Sequence, residues 1–306
     1  MKLLLKAAIS ALLIWLLLSK ADLALLTERI GSVGVFSFAG ATLLVFALTI
    51  PAALRWRLVL ARLGQTLGVM DALRITLVGL FFNQVLPSSV GGDAVRMWQA
   101  RRAGLELRPA VNGVLIDRVI GLSAVFLMTA AALPRLLAIV DDARLRWAFI
   151  LVAAVGLTGI LVLAVLDRLG TWMERWRATR ALADISRDYR RVLASPGAVF
   201  AVFAISILIQ ASFALAAYIL ARSLNLGVDA LDCLVLVPPV VLVMAVPVSI
   251  AGWGLREGAM IIAFGFVGVD WDHAFALSVV LGACSVLAAV PGGLLWLASN
   301  RKKAVP

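Results

Sequence analysis

The sequence predicts an all-α integral membrane protein with about six full spans and two re-entrant or broken helix pairs in an inverted repeat. Composition predicts the membrane class, because 63% of the 306 residues are hydrophobic and only 15% are charged. A soluble domain has roughly half apolar and a quarter charged residues, so this chain requires lipid as its solvent. Its apolar residues also form solid runs, such as residues 12–18, whereas the strands of a β-barrel alternate polar and apolar residues.

Six apolar segments are each long enough to cross the hydrocarbon core of a bilayer. They cover about residues 3–19, 36–54, 111–133, 147–166, 198–221 and 273–297. The first segment has the basic start of a signal peptide, but no small-x-small cleavage site follows it, so we predict an uncleaved span. We expect residues 1–306 to form a single polytopic membrane domain.

Two further apolar regions, 73–103 and 231–269, are each interrupted. The interruptions read LPSSVGGD from residue 86 and VPVSIAGWG from residue 246. Proline lacks an N–H and ends a helix, and glycine permits the turn that follows. Backbone groups freed at such a break cannot face lipid, so they must be buried in protein or line a wet cavity.

The two interruptions resemble each other and indicate an internal repeat. Both fit the pattern P-x-S-[VI]-x-G-x-x-x-R, which begins at Pro87 and again at Pro247. The same shift aligns the neighbouring spans, and each half then has an odd number of full crossings. The second half is therefore predicted to be inverted relative to the first, as in many transporters. We place the halves at about residues 1–135 and 145–300.

The basic residues indicate how the chain is oriented. Most of the 28 Lys and Arg residues, Arg55, Arg57 and Arg62 among them, lie in segments assigned to one side. This positive-inside pattern predicts that both termini are cytoplasmic, and it explains the net charge of +11 without a nucleic-acid partner. The inner loop 167–196 is either an amphipathic helix on the anionic leaflet or a solvated connector.

Each return arm begins just after its break, so the free N–H groups of its helix N-terminus point at the break. An arginine, Arg96 or Arg256, follows about one turn later. A helix N-terminus with an arginine favours an anion such as phosphate or carboxylate, and we predict that both sites face one central cavity. The candidate substrate-binding residues are Asn83, Ser88, Ser89, Gly91, Gly92, Asp93, Arg96, Asp117, Arg118, Ser249, Gly252, Trp253, Gly254, Arg256 and Glu257.

Several of these residues also have a purely structural interpretation. Charges at membrane depth are rare and often functional, but Arg256–Glu257 and Asp93–Arg96 also fit simple structural ion pairs.

The next span opens with a second pair of charges. In that pair, Arg118 either snorkels to the inner interface or pairs, with Asp117, across the bundle near the first break. Asn83 is either a ligand contact or a polar link between helices. Trp253 either stacks on a ligand or fills the turn.

The strings FFNQVLPSSVGGDAVRMWQARRAGL, DRVIGL and PVSIAGWGLREGA resemble the flippase-like transmembrane region of the lysylphosphatidylglycerol synthetases. The resemblance covers nearly the whole chain and implies a polytopic protein of the bacterial inner membrane, with a fold associated with moving lipids between leaflets. In two-domain relatives a cytosolic aminoacyltransferase makes the lysyl-lipid that the membrane part flips, and we expect this chain to be a stand-alone member without that domain. The motif residues are Asn83, Pro87, Gly91, Gly92, Asp93, Arg96, Asp117, Arg118, Pro247, Gly252, Gly254, Arg256 and Glu257.

The leading functional hypothesis is a flippase-like lipid transporter that is not an enzyme. It would bind an anionic, phosphate-bearing headgroup in a central cavity and move the lipid between leaflets. Its expected partners are a membrane phospholipid or polyprenyl-linked lipid and an envelope lipid-modifying enzyme, and neither a cofactor nor a metal is expected. The alternative is a membrane-embedded transferase acting on lipid-linked substrates, such as a glycosyltransferase, with Asp93, Asp117 or Glu257 as its base. A third candidate is a non-catalytic scaffold for an envelope enzyme.

Overall fold

A computed structural model describes residues 23–86, 91–166, 177–246 and 252–301, together with Trp15, Leu17, Ser19 and Arg168. Within these ranges all regular structure is helical. The helices are α1 (Leu23–Gly31), α2 (Val35–Ala47), α3 (Thr49–Arg62), α4 (Val69–Val85), α5 (Gly91–Arg102), α6 (Leu107–Ile139), α7 (Ala143–Val165), α8 (Arg177–Val192), α9 (Pro196–Ser223), α10 (Ala230–Ala245), α11 (Leu255–Gly265) and α12 (Trp271–Arg301).

Five helical segments of the described chain are long and apolar enough to cross a membrane. They are Val35–Arg62, Leu107–Ile139, Ala143–Val165, Pro196–Ser223 and Trp271–Ser299. These segments match five of the six predicted spans and confirm the all-α membrane fold. The predicted span 3–19 lies almost wholly outside the described residues.

Both predicted interruptions separate two helices in the structure. The first helix pair is α4 and α5, and the second is α10 and α11. Residues 87–90 and 247–251, which include Pro87, Ser88, Ser89, Pro247 and Ser249, lie outside the described residues. Just after the second of these segments, Gly252 and Gly254 have φ angles of +80° and +84°, a left-handed conformation that glycine adopts without steric cost.

The helix contacts are reciprocal between the two predicted halves. Helix α4 packs against α12, and its counterpart α10 packs against α6. In the same way α3 packs on α4 while α9 packs on α10, and α5 packs on α6 while α11 packs on α12. A pseudo-two-fold relation between the halves requires this exchange of partners. The half boundaries and the inverted orientation stay predictions.

Helix α8 lies in the long loop 167–196, which was predicted to face the inner side, and it packs on other helices of the protein. It contacts α3, α6 and α7, and its Tyr189 and Val192 are fully buried in a cluster with Ile116 and Ile120 of α6. The amphipathic interpretation of the loop therefore fits this segment, but much of its apolar face covers other helices. Trp172 and Trp176 lie outside the described residues.

We expect Gly292→Ala to destabilise the protein, because a Cβ at residue 292 would overlap the backbone carbonyl of Leu77 on α4. Overpacking of this kind costs about 1–3 kcal/mol, and backbone atoms cannot rotate away. Thermal unfolding of the purified protein in detergent should show a lower Tm. The control is Gly159→Ala on α7, where a Cβ meets nothing within 4 Å. Equal Tm values for the two variants would contradict the close approach of α4 and α12.

Candidate functional site

The first polar cluster consists of Arg55 of α3, Asp93 and Arg96 of α5, and Asp117 and Arg118 of α6. Asp117 is its centre: Oδ1 accepts a hydrogen bond from Arg55 Nε at 2.8 Å, and Oδ2 accepts one from Arg96 Nη2 at 3.1 Å. Arg96 Nη1 lies 3.6 Å from Asp93 Oδ1, and Arg118 pairs with the other oxygen of Asp93. Ion pairs therefore connect the three helices α3, α5 and α6.

This cluster lies inside the protein and carries surplus positive charge. Asp93 and Asp117 are 4% and 2% exposed, and Arg55 and Arg96 are 8% and 9% exposed. Among the described residues, three guanidinium groups face two carboxylates, so these ionised groups together carry a net charge of +1. Buried charges are tolerated only where pairing and hydrogen bonds replace water, and Arg55 Nη1 donates a further bond to Ser206 Oγ of α9 at 2.9 Å.

Small residues and one amide allow α5 to reach this position. The Gly92 N–H at the start of α5 donates to Asn83 Oδ1 of α4 at 2.9 Å, which satisfies one of the free N–H groups of a helix N-terminus. A side chain on Gly92 would overlap the carbonyl of Gly79, and one on Gly79 would overlap the Arg96 side chain. Asn83 thus links two helices of one pair.

Two buried donors in this region have no acceptor among the described residues. The guanidinium of Arg96 lies over the ring of Trp56, with Cζ 4.6 Å from the ring centroid. Arg96 Nε and Trp56 Nε1 are both buried, and among the described residues neither has a hydrogen-bond partner. Buried donors are nearly always paired, so two unpaired donors close together indicate a place where an acceptor would be stabilised.

The second polar cluster consists of Trp253, Gly254, Arg256 and Glu257 at the start of α11, with Ser278 of α12. Arg256 Nε donates to Glu257 Oε1 at 3.1 Å and to Ser278 Oγ at 3.2 Å. Glu257 Oε2 accepts the Gly254 N–H at 2.6 Å, so this carboxylate also caps its own helix. Trp253 stacks on Arg256, with Cζ 4.5 Å from the ring centroid.

The second cluster is neutral, since its one guanidinium and one carboxylate balance. Arg256 and Glu257 are 4% and 2% exposed. A Cβ on Gly282 of α12 would overlap the Arg256 guanidinium, so a glycine on the neighbouring span gives the arginine its space. In the first half Gly121 of α6 likewise lies against Arg55.

No described hydrogen bond or ion pair joins the first polar cluster to the second. Helices α5 and α11 share no extensive contact, and no described ion pair joins Arg96 to Arg256. The two cavities that we describe lie along α12, one beside α4 and one beside α5, and neither is lined by these arginines. Their meeting in one central cavity stays a prediction.

The structure brings most of the predicted residues together in two groups, one near each break. Asn83, Gly92, Asp93, Arg96, Asp117 and Arg118 lie together, as do Gly252, Trp253, Gly254, Arg256 and Glu257. Gly91 instead lines an apolar cavity, and Ser88, Ser89 and Ser249 lie outside the described residues. Arg118 pairs with Asp93 rather than snorkelling alone.

Sequence analysis missed the contribution of α3 and of the Ser residues on the spans. Arg55 was assigned with the inner basic residues, although α3 continues to Arg62 and Trp56 is fully buried. The signal was available, because RWRLVLAR continues the helical spacing of apolar residues after position 54. Ser206 and Ser278 gave no signal, since each lies inside an ordinary apolar run.

The chain's one histidine lies away from both clusters. His273 at the start of α12 contacts Arg29 of α1 and Asp270. Burial acts to raise the pKa of Asp270, but hydrogen bonds from His273 outweigh it and hold that pKa below its usual value. Among the described residues no three His, Cys, Asp or Glu side chains come together as a metal site would require.

Comparison with known families identifies a membrane family. The family described as "Lysylphosphatidylglycerol synthase TM region" matches residues 3–293. The chain belongs to this family. Its match extends through both broken helix pairs and both polar clusters, so the lysylphosphatidylglycerol synthase transmembrane region accounts for nearly all of the multi-pass membrane fold. No curated protein matches the sequence.

We expect Asp117→Asn to be strongly destabilising, because it leaves two buried arginines without their shared carboxylate. Breaking a buried pair in this way costs about 3–5 kcal/mol, and the loss should appear as a large decrease in Tm in detergent. The control is Ser206→Ala, which removes one hydrogen bond from Arg55 and should cost about 1–3 kcal/mol. If Asp117→Asn unfolds no earlier than Ser206→Ala, Asp117 is not the centre of the cluster.

Proposed function

We propose that this protein is a flippase-like lipid transporter of a bacterial inner membrane, and that it binds the anionic headgroup of a phosphate-bearing lipid at the first polar cluster. The proposal rests on one observation: among the described residues, the cluster has more guanidinium groups than carboxylates, and it lies beside two buried donors for which those residues supply no acceptor. A phosphodiester carries one negative charge and several acceptor oxygens. It would therefore neutralise the surplus and satisfy Arg96 Nε and Trp56 Nε1.

The lipid's hydrocarbon chains would stay in the bilayer while the headgroup crosses through protein. A headgroup leaving water must exchange hydration for fixed donors, because a bare charge in hydrocarbon is costly. The second cluster, with Arg256 on the other helix pair, supplies a comparable guanidinium. With the halves inverted, rocking of one half against the other would expose the two clusters to opposite leaflets in turn.

The contacts of the carboxylates favour transport over a transferase reaction. A general base must be able to accept a proton from its substrate. Asp117 instead accepts from two arginines, and Glu257 accepts from Arg256 and from the Gly254 N–H. Asp93 lies between Arg96 and Arg118. Each carboxylate is thus held as a partner of arginine, and we propose no chemical step on the lipid.

The test is lipid translocation in vesicles that contain the purified protein and a fluorescent anionic phospholipid. We expect Arg96→Gln and Arg256→Gln to lower the translocation rate by about tenfold or more, since each removes a charge-assisted contact worth about 1.5–3 kcal/mol. Arg62→Gln is the control, because this arginine is exposed at the end of α3.

Folding is checked by the Tm and elution profile of each variant. If the folded Arg96→Gln and Arg256→Gln proteins translocate lipid at the wild-type rate, the proposed headgroup site is wrong. The lipid should also be recovered with its mass unchanged. A mass increase with a lipid-linked sugar donor present would instead support the transferase.

A further inference from the structure

Helix α5 presents two different faces. Gly92, Asp93, Arg96 and Ala100 are buried and follow one helical stripe that includes the polar cluster. A second stripe at the same spacing holds Gly91, Ala94, Val95, Trp98 and Arg102. Residues three and four apart lie on one side of a helix, so the second stripe faces away from the ion pairs.

The second stripe forms one wall of an apolar groove. The groove has a volume of about 350 Å³ and is lined by Leu86, Gly91, Ala94, Val95, Trp98 and Trp296. The α5 and α12 backbones have few close contacts, and Trp98 and Trp296 meet across the gap with ring centroids 5.6 Å apart. The ring of Phe82 packs edge-to-face on that of Trp296, with the two ring centroids 5.0 Å apart.

A cation lies where the groove reaches the last turn of α5. The guanidinium of Arg102 stacks on Trp98, with Cζ 4.5 Å from the ring centroid. Trp98 is 45% exposed, so this pair lies at the surface of the protein. Among the described residues no carboxylate is within ion-pairing distance of Arg102.

We propose that this groove is a binding site for one anionic phospholipid of the surrounding bilayer. One hydrocarbon chain lies along Val95, Trp98 and Trp296, and the phosphate contacts Arg102. Charge complementarity selects this occupant: the groove is apolar along its length, and the cation at one end has no carboxylate partner in the described part of the chain. Tryptophan and arginine together are typical of the depth at which headgroups begin.

The site is separate from the headgroup cluster and occurs once. In the repeat the residues that correspond to Trp98 and Arg102 are Gly258 and Ile262, so the second half lacks both the aromatic wall and the cation. A lipid in the groove therefore does not depend on the proposed transport route, although both sites select an anionic lipid.

The test is native mass spectrometry of the detergent-purified protein titrated with phosphatidylglycerol or phosphatidylcholine. We expect Ala94→Trp, which fills the groove from an exposed position, to weaken the first phosphatidylglycerol adduct by about tenfold. Arg102→Gln should weaken the phosphatidylglycerol adduct by about three- to tenfold and leave the phosphatidylcholine adduct unchanged, because only an anionic headgroup uses that charge.

Two matched controls accompany these variants. Ala154→Trp places the same bulk at an exposed position of α7, and Arg62→Gln removes the same charge from the end of α3. Both should bind phosphatidylglycerol like the wild type. Wild-type binding by Ala94→Trp, or an equal loss of both lipids in Arg102→Gln, would overturn the proposal.

One further variant separates this site from the headgroup cluster. Arg96→Gln should retain the adduct, because Arg96 lies on the other stripe of α5. If Arg96→Gln loses the adduct while Ala94→Trp keeps it, the bound lipid lies at the headgroup cluster. That result would contradict lipid binding in the groove, and it would not contradict the proposed function.

Discussion

The shared carboxylate of Asp117 is the constraint on which the first half of the molecule depends. In an apolar surrounding, an arginine must find a charged partner inside the protein, and Asp117 is that partner for two arginines at once. Because Arg55 comes from α3 and Arg96 from α5, the positions of three helices are set together. This arrangement requires glycine at positions 79 and 92, where α4 and α5 approach closely. A bulkier residue at either position would push Arg96 of α5 away from α6.

The second cluster solves the same problem over a shorter distance. Arg256 and Glu257 are neighbours in the sequence, and the carboxylate also caps the helix that carries both. Among the described hydrogen bonds of this cluster, those of Ser278 on α12 are the ones that come from another helix. The two clusters therefore differ in physical character: the first ties α5 to the spans α3 and α6, whereas the second balances its charge within its own helix pair. Repeated motifs do not require repeated interactions.

The spans and both breaks could be predicted from the sequence, because apolar length and the Pro and Gly at 87–92 and 247–254 are local properties. The grouping of Asp93, Arg96 and Asp117 was one of two interpretations that the charges near the first break allowed. A positive-inside count does not separate Arg55 from its basic neighbours, because it treats every arginine near a span end alike; only the apolar spacing that continues past position 54 indicates that Arg55 lies within a helix. Ser206 is unmarked for another reason: its role is set by which helix faces Arg55, and that is a long-range property of packing.

Helix α5 shows how one short segment satisfies two surroundings. Its buried stripe must offer charge and small residues to other helices, and its other stripe must offer apolar surface to the groove. The 3.6-residue period keeps these demands apart, so Arg96 and Trp98 lie on different sides although one residue separates them. The helix is polar on average, and its sequence reads as a broken span. The buried charges of α5, Asp93 and Arg96, lie on one side and pair with Asp117 and Arg118 of α6. This pairing is why a helix with buried charges can pack among apolar ones.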